Sequence, residues 1–239
     1  MISSVSAKAT DRHFVVAIDG PAASGKSSTA KCVAEKLGVH HADSGALYRA
    51  ATVARLRQGG SPEEWTADSV LAAASRIALV RHGSGFDVHL DGAPMGKELH
   101  EAAVTALVSL VAKMRPVRDW VNAKMIACAR EGPIVVDGRD MGTAVFPEAR
   151  LKIFLVANAR ERARRRLLQR LGRTPMDDEI ASEAEMLKQR DIKDAAQTQQ
   201  AADAVVLDTT HLTQEEQVQR IVEMAIRSGA PPAPGASTK

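Results

Sequence analysis

Lys26 and Ser27 close the spacing Gly20-x-x-x-x-Gly25-Lys26-Ser27 within the stretch AIDGPAASGKSST. Small residues keep bulky side chains away from that backbone, so its N–H groups can turn inward onto phosphate oxygens. A lysine at this place reaches the β and γ phosphates of a nucleoside triphosphate, and the serine after it holds magnesium. The apolar run HFVVAI before the loop reads as a buried strand. TAKCVAEKLG after it has helical spacing, which brings a positive helix N-terminus to the same anion. The candidate phosphate-binding residues are Gly20, Pro21, Ala22, Ala23, Ser24, Gly25, Lys26, Ser27 and Ser28. The alternative is an ordinary strand, turn and helix with one exposed lysine.

Other reactive side chains cluster in short stretches. PIVVDGRD is an apolar strand ending in Asp137, from which a carboxylate helps hold magnesium in phosphate-loop enzymes; a loop cap is the equal alternative. DSGALYR puts Asp43 and Ser44 at a strand end and Arg49 in the following helix, and for Asp43 capping is the favoured reading. Arg49 and Arg139 carry forked guanidiniums suited to a second phosphate. Between residues 158 and 173 stand seven arginines against one acid, Glu161. They read as a nucleic-acid patch, a solvated basic face, or a mobile lid closing over phosphates. The phosphate loop, with only 3% aromatic residues for base stacking, favours the lid. In KQRDIKD, Arg190 and Asp194 are four apart, the spacing of a helix-face ion pair.

These residues need a frame, and strands alternating with helices supply it. Strands are expected at HFVVAI, VHHAD, PIVVDGRD, LKIFLVA and AVVLDTT. Five apolar strands alternating with helices predict a parallel sheet covered on both faces. Gly38 is the expected C-cap of the first helix. Ser61, Pro62 and Glu64 predict a capped helix running to about Arg76, and Thr213 with Glu216 a second capping box. IALVRHGSGFDVHLDGAP breaks the alternation with a hairpin signal around Gly83-Ser84-Gly85, and so reads as an insertion. Helices are expected from about Leu99 to Met114 and from Pro116 to Glu131.

At 239 residues, 45% hydrophobic and 26% charged, the chain has the composition of a soluble globular protein with a net charge of +3. Cys32 and Cys128 lack metal-ligand spacing, and the seven histidines form no cluster, so no zinc site is expected and a reduced, cytoplasmic chain is. No apolar run is long enough to span a membrane. Residues 1–12 read as a loose leader and 230–239 as a disordered tail.

Taken together, IDGPAASGKSS, DSGALYRA, VVDGRDMGTAVFP, LKIFLVA with ERARRR after it, QRD with Asp194, and AADAVVLDTT resemble the bacterial cytidylate kinase family over roughly residues 14 to 228. The resemblance implies an α/β P-loop nucleoside monophosphate kinase fold. Its core would be a five-stranded parallel sheet over 13–76 and 132–229, with a helical lid at about 158–200. A small inserted monophosphate-binding domain would occupy 77–131. It implies transfer of the γ-phosphoryl group of ATP to CMP or dCMP with Mg2+. Cytosine would be read at Ser109, Arg118 and Asp140, with Ser44 beside the same pocket. Phosphate would be met by Arg49 and Arg139 and the sugar by Arg190 and Asp194. Ser27 and Asp137 would hold the metal, and Lys26, Arg139, Arg162 and Arg166 would stabilise the transferring charge.

Three features depart from the family pattern. Gln197 stands where an arginine is usual, the segment after it is short, and His100-Glu101 replaces the Arg-Thr or Arg-Ser pair ahead of Ser109. They keep a non-catalytic nucleotide-binding module open as an alternative, as does a kinase of another small acceptor, because fold does not fix substrate. No partner protein is called for, and a monomer is the default expectation.

Overall fold

A computed structural model describes residues 14–231 of the chain. The leader expected at 1–12, and all but the first two residues of the expected tail, lie outside the described residues. Five parallel strands form the centre of the fold: β1 (Val15–Asp19), β2 (His40–Asp43), β6 (Ile134–Asp137), β7 (Leu151–Val156) and β8 (Val205–Asp208). They lie in the order β2-β6-β1-β7-β8. All five are the expected ones. The antiparallel hairpin, β3 (Ile77–His82) and β4 (Gly85–Leu90), is joined to this sheet, since β4 pairs with β2 at His41↔Gly85. The two-residue β5 (Ala93–Pro94) pairs with β4. The insertion therefore extends the sheet edge.

Alternate residues of β1 feed different layers, as a strand with side-chain period two requires. Val16 and Ile18 pack with α1 (Lys26–Leu37) and α8 (Gln214–Arg227), while Val15 and Ala17 join the opposite layer. That second layer is built from α2 (Ser44–Leu56), α3 (Ala67–Ala74), α4 (Ala102–Lys113) and α5 (Arg115–Ala129). A third, smaller cluster joins α6 (Ala159–Leu171) to α7 (Asp177–Asp194) through Ala163, Leu167, Ile180 and Leu187, with Ala22 of the phosphate loop beneath.

Gly38 caps α1 in the left-handed conformation, and Thr213 with Glu216 forms the capping box of α8, both as expected. The box expected at Ser61 and Glu64 does not form. Pro62–Glu64 make a single 3-10 turn, and α3 begins at Ala67, capped by Thr66 with Ser69. Trp65 explains the difference: its side chain is drawn into the core with the Arg55 guanidinium over its ring, and its backbone is extended. Burying an indole outweighs continuing one helical turn.

Candidate active site

Parallel strands bring their C-terminal ends to one edge, and a ligand crevice in such a sheet opens there. β1, β2 and β6 each end in aspartate: Asp19, Asp43 and Asp137. Asp43 and Asp137 are register partners on adjacent strands, so their carboxyls stand side by side. A cleft of about 1410 Å³ opens over them, lined by the phosphate loop, α2, α4, α6 and α7.

The loop's shape follows from its small residues. Gly20 has φ +147, and a Cβ there would sit 2.2 Å from the Leu155 carbonyl oxygen, so the loop leaves β1 in contact with the backbone of β7. Gly20 and Pro21 thus do not line the cleft, whereas Ala22 through Ser28 do. The Lys26 ammonium lies 2.7 Å from the Pro21 carbonyl oxygen, inside the loop. Burial, and then the nearby Arg139 charge, hold it well below the ordinary lysine value. Phosphate oxygens would restore the charge balance that this cation lacks.

Ser27 donates a hydrogen bond of 2.6 Å from Oγ to Asp137 Oδ2, and His41 Nε2 lies 2.9 Å from the other Asp137 oxygen. Burial, and then the Asp137 charge, raise the pKa of Asp43. Two crowded carboxyls beside a serine hydroxyl suit a divalent cation. Among the described residues no group of three or more His, Cys, Asp or Glu makes a protein-only metal cage. The Ser27 hydroxyl with the Asp43 and Asp137 carboxyls fits magnesium, which keeps water and substrate phosphates among its ligands. Asp43 also caps α2, accepting from the Ala46 N–H, so the favoured sequence reading holds for its backbone role.

On the facing wall, Arg118 of α5 pairs with Asp140, just after β6, and Ser109 of α4 lines the cleft beside them. Ser44 donates to the Asp137 carbonyl oxygen at 2.9 Å; a Cβ at residue 138 would fall 2.5 Å from that hydroxyl, which explains Gly138. Arg49 donates to the Leu99 carbonyl and Thr105 Oγ1. Burial, and then Arg190, lower its pKa to about 10. Asp194 is shared, 3.4 Å from Arg190 and 3.9 Å from Arg139. A cluster of guanidiniums therefore faces the space between the phosphate loop and the Arg118–Asp140 pair.

The structure brings these candidates into one cleft, with Arg162 the exception besides Gly20 and Pro21. Its side chain is buried, donating to the Ala22 carbonyl at 2.9 Å and paired with Asp191 at 2.6 Å. Arg162 thus fastens α6 to the phosphate loop and to α7. Arg166 does line the cleft, as do Arg170 and Gln197.

The profile of the family described as Cytidylate kinase matches residues 16–227. The chain belongs to the cytidylate kinase family. Its curated relatives include the cytidylate kinase of Chlorobaculum tepidum, 41% identical over 220 residues, covering 89% of this chain and 93% of that one. Those of Shouchella clausii, 42% identical (89% and 96% covered), and Bacillus pumilus, 39% identical (90% and 97% covered), are similar along equally long stretches.

Within that family frame, sequence reasoning missed Asp19. Its carboxylate accepts from the Met141 and Gly142 N–H groups at 2.9 and 2.7 Å, pinning the π-helical turn Met141–Val145 that follows Arg139 and Asp140. Burial pushes its pKa up to about 6 despite those two donors. The signal was present: Asp19 ends an apolar strand just as Asp137 does. His41, which meets Asp137, carries no comparable local signal.

Proposed function

We propose that the chain transfers the γ-phosphoryl group of ATP to CMP or dCMP, giving ADP and CDP or dCDP. The observation that carries this reading is the single cleft in which Lys26 and Ser27 face the Arg118–Asp140 pair across a cluster of arginines. A carboxylate accepts well from the N4 amino group of cytosine. Arg118 and Ser109 complete a polar edge for the ring nitrogen and carbonyl.

The acceptor needs no general base, because a nucleotide phosphate has a second pKa near 6 and is ionised at pH 7. Catalysis then rests on alignment and charge. Arg49 and Arg139 hold the acceptor phosphate, Arg190 and Asp194 the sugar, and residues 20–28 the triphosphate. Magnesium, held from the protein side by Ser27 and Asp137, would neutralise phosphate charge. Lys26 moves its ammonium from the Pro21 carbonyl to the transferring oxygens, and Arg166 joins it from the lid. Closure of α6 and α7 excludes water, which otherwise would receive the phosphoryl group.

In this reading residues 77–131 form the acceptor-binding unit and about 158–200 the lid. The protein acts as a monomer in the cytoplasm on small nucleotides alone. Two free cysteines and the lack, among the described residues, of any helix able to cross a membrane are in keeping with that.

A coupled ADP-release assay with ATP, magnesium and each of CMP, dCMP, UMP and AMP tests the proposal. Turnover with CMP and dCMP alone is expected. Turnover with UMP or AMP instead overturns the roles of Ser109, Arg118 and Asp140. CMP binding without turnover overturns the kinase reading in favour of a binding module.

A further inference from the structure

Each arginine of the lid has an acidic partner, but the partnerships differ in kind. Arg160 pairs with Asp177 and Arg173 with Glu179, while Arg164 and Arg165 share Glu161 through hydrogen bonds of 2.8 Å. Arg162 forks onto Asp191. Arg166 and Arg170 share Glu183 without a hydrogen bond. Each has one guanidinium nitrogen 3.3 Å from a Glu183 oxygen, and Oε2 is buried with no hydrogen-bond partner.

Glu183 is only 2% exposed, on the face of α7 that also buries Ile180, Ala184 and Leu187. A carboxylate in such company costs stability unless charge holds it. Its two partners do not need it in the same way: the Arg166 and Arg170 side chains are 28% and 55% exposed and reach the open cleft. Removing Glu183 would strand no buried cation, so the usual penalty for breaking a buried pair does not arise. Stability alone therefore gives no reason for an acid here. Position does. Arg166 and Arg170 are four residues apart on one helix face, where like charges repel, and Arg190, Arg49 and Arg139 stand nearby.

We infer that Glu183 is a positioning residue for phosphoryl transfer: from α7 it gathers the Arg166 and Arg170 guanidiniums at the cleft wall by charge alone. Because neither pair is hydrogen-bonded, phosphate oxygens can take both guanidiniums over without first breaking a directed bond. This inference rests on the kinase reading above. Wild-type turnover of CMP tests that reading, and only the variants test this one.

Glu183→Leu keeps the volume and removes the charge. The expected result is a kcat lowered about tenfold with the CMP KM within twofold, the pattern of an interaction needed in the transition state. Its melting temperature should be unchanged or higher. Glu183→Gln, which retains the shape, carries the same kinetic expectation should the leucine variant not fold. In an Arg166→Met, Arg170→Met background the Glu183 change should have little further effect, because Glu183 acts through those two guanidiniums. An unchanged kcat in the variants overturns the inference. So does a loss that multiplies in full with that of the Arg166→Met, Arg170→Met double variant, or one that merely follows a fallen melting temperature.

Discussion

Replacing Asp140 by asparagine tests the acceptor pocket most directly, because it changes a charge and hardly any volume. The Asp140 side chain is 9% exposed and paired with Arg118, whose side chain is 21% exposed. The pair is thus largely withdrawn from water, where hydrogen bonds to charged groups contribute about 1.5–3 kcal/mol. At about 1.36 kcal/mol per decade, kcat/KM for CMP should fall roughly 10- to 150-fold. An asparagine has both a donor and an acceptor, so it meets the O4 of uracil as readily as the N4 amino group of cytosine. The preference for CMP over UMP should therefore narrow by more than tenfold, about the range for one mismatched polar contact. Steady-state kinetics with both acceptors at saturating ATP measure both effects, and the KM for ATP serves as the internal control. Unchanged kcat/KM for CMP would refute the cytosine-reading role of Asp140. An equal loss for CMP and UMP would refute the argument from hydrogen-bond polarity.

Lys26→Met should abolish phosphoryl transfer yet leave the melting temperature within a few degrees, since a buried cation held below its ordinary pKa is removed; measurable turnover in a folded variant would contradict the phosphate-loop role. Gln197 lines the cleft, so Gln197→Arg should raise kcat severalfold by adding a guanidinium. A rate equal to or below wild type would mean that Gln197 does not stand in the missing arginine's place or that another arginine already serves. The Asp19 carboxyl should titrate at about 6 by carbon NMR. Its raised pKa makes a stability contribution that is fully present below about 3.8, the unfolded value, and is lost as pH rises through about 6. A midpoint near 4 would refute the burial argument.

Much of the site was legible because its parts are local. The loop from Gly20 to Ser28 needs consecutive small residues, a strand before it and a helix after it, and all three are written in neighbouring positions. Asp137 and Arg139 stood out in the same way, as polar residues at the end of an apolar strand, whereas the role of Asp140 came from resemblance to a family. Ser109 and Arg118 were different. Each sits on a helix with no chemical neighbour in sequence, and only resemblance to a family pointed to them. The helix expected at Ser61 failed for a long-range reason, the burial of Trp65 in a core that no local pattern describes.

The sequence by itself determined the five parallel strands, most of the helices and where the phosphate loop lies. Those are matters of periodicity, capping and backbone freedom, which act over a few residues. Only the tertiary structure decided that Asp43 and Asp137 stand as register partners beneath Ser27. It also decided that Arg162 turns onto the phosphate loop while Arg166 faces the cleft, though both lie on one helix. An amino-acid type states what a side chain can do. Which partner it meets depends on strand register and on the packing of α6 against α7, and these bring together residues far apart in the chain.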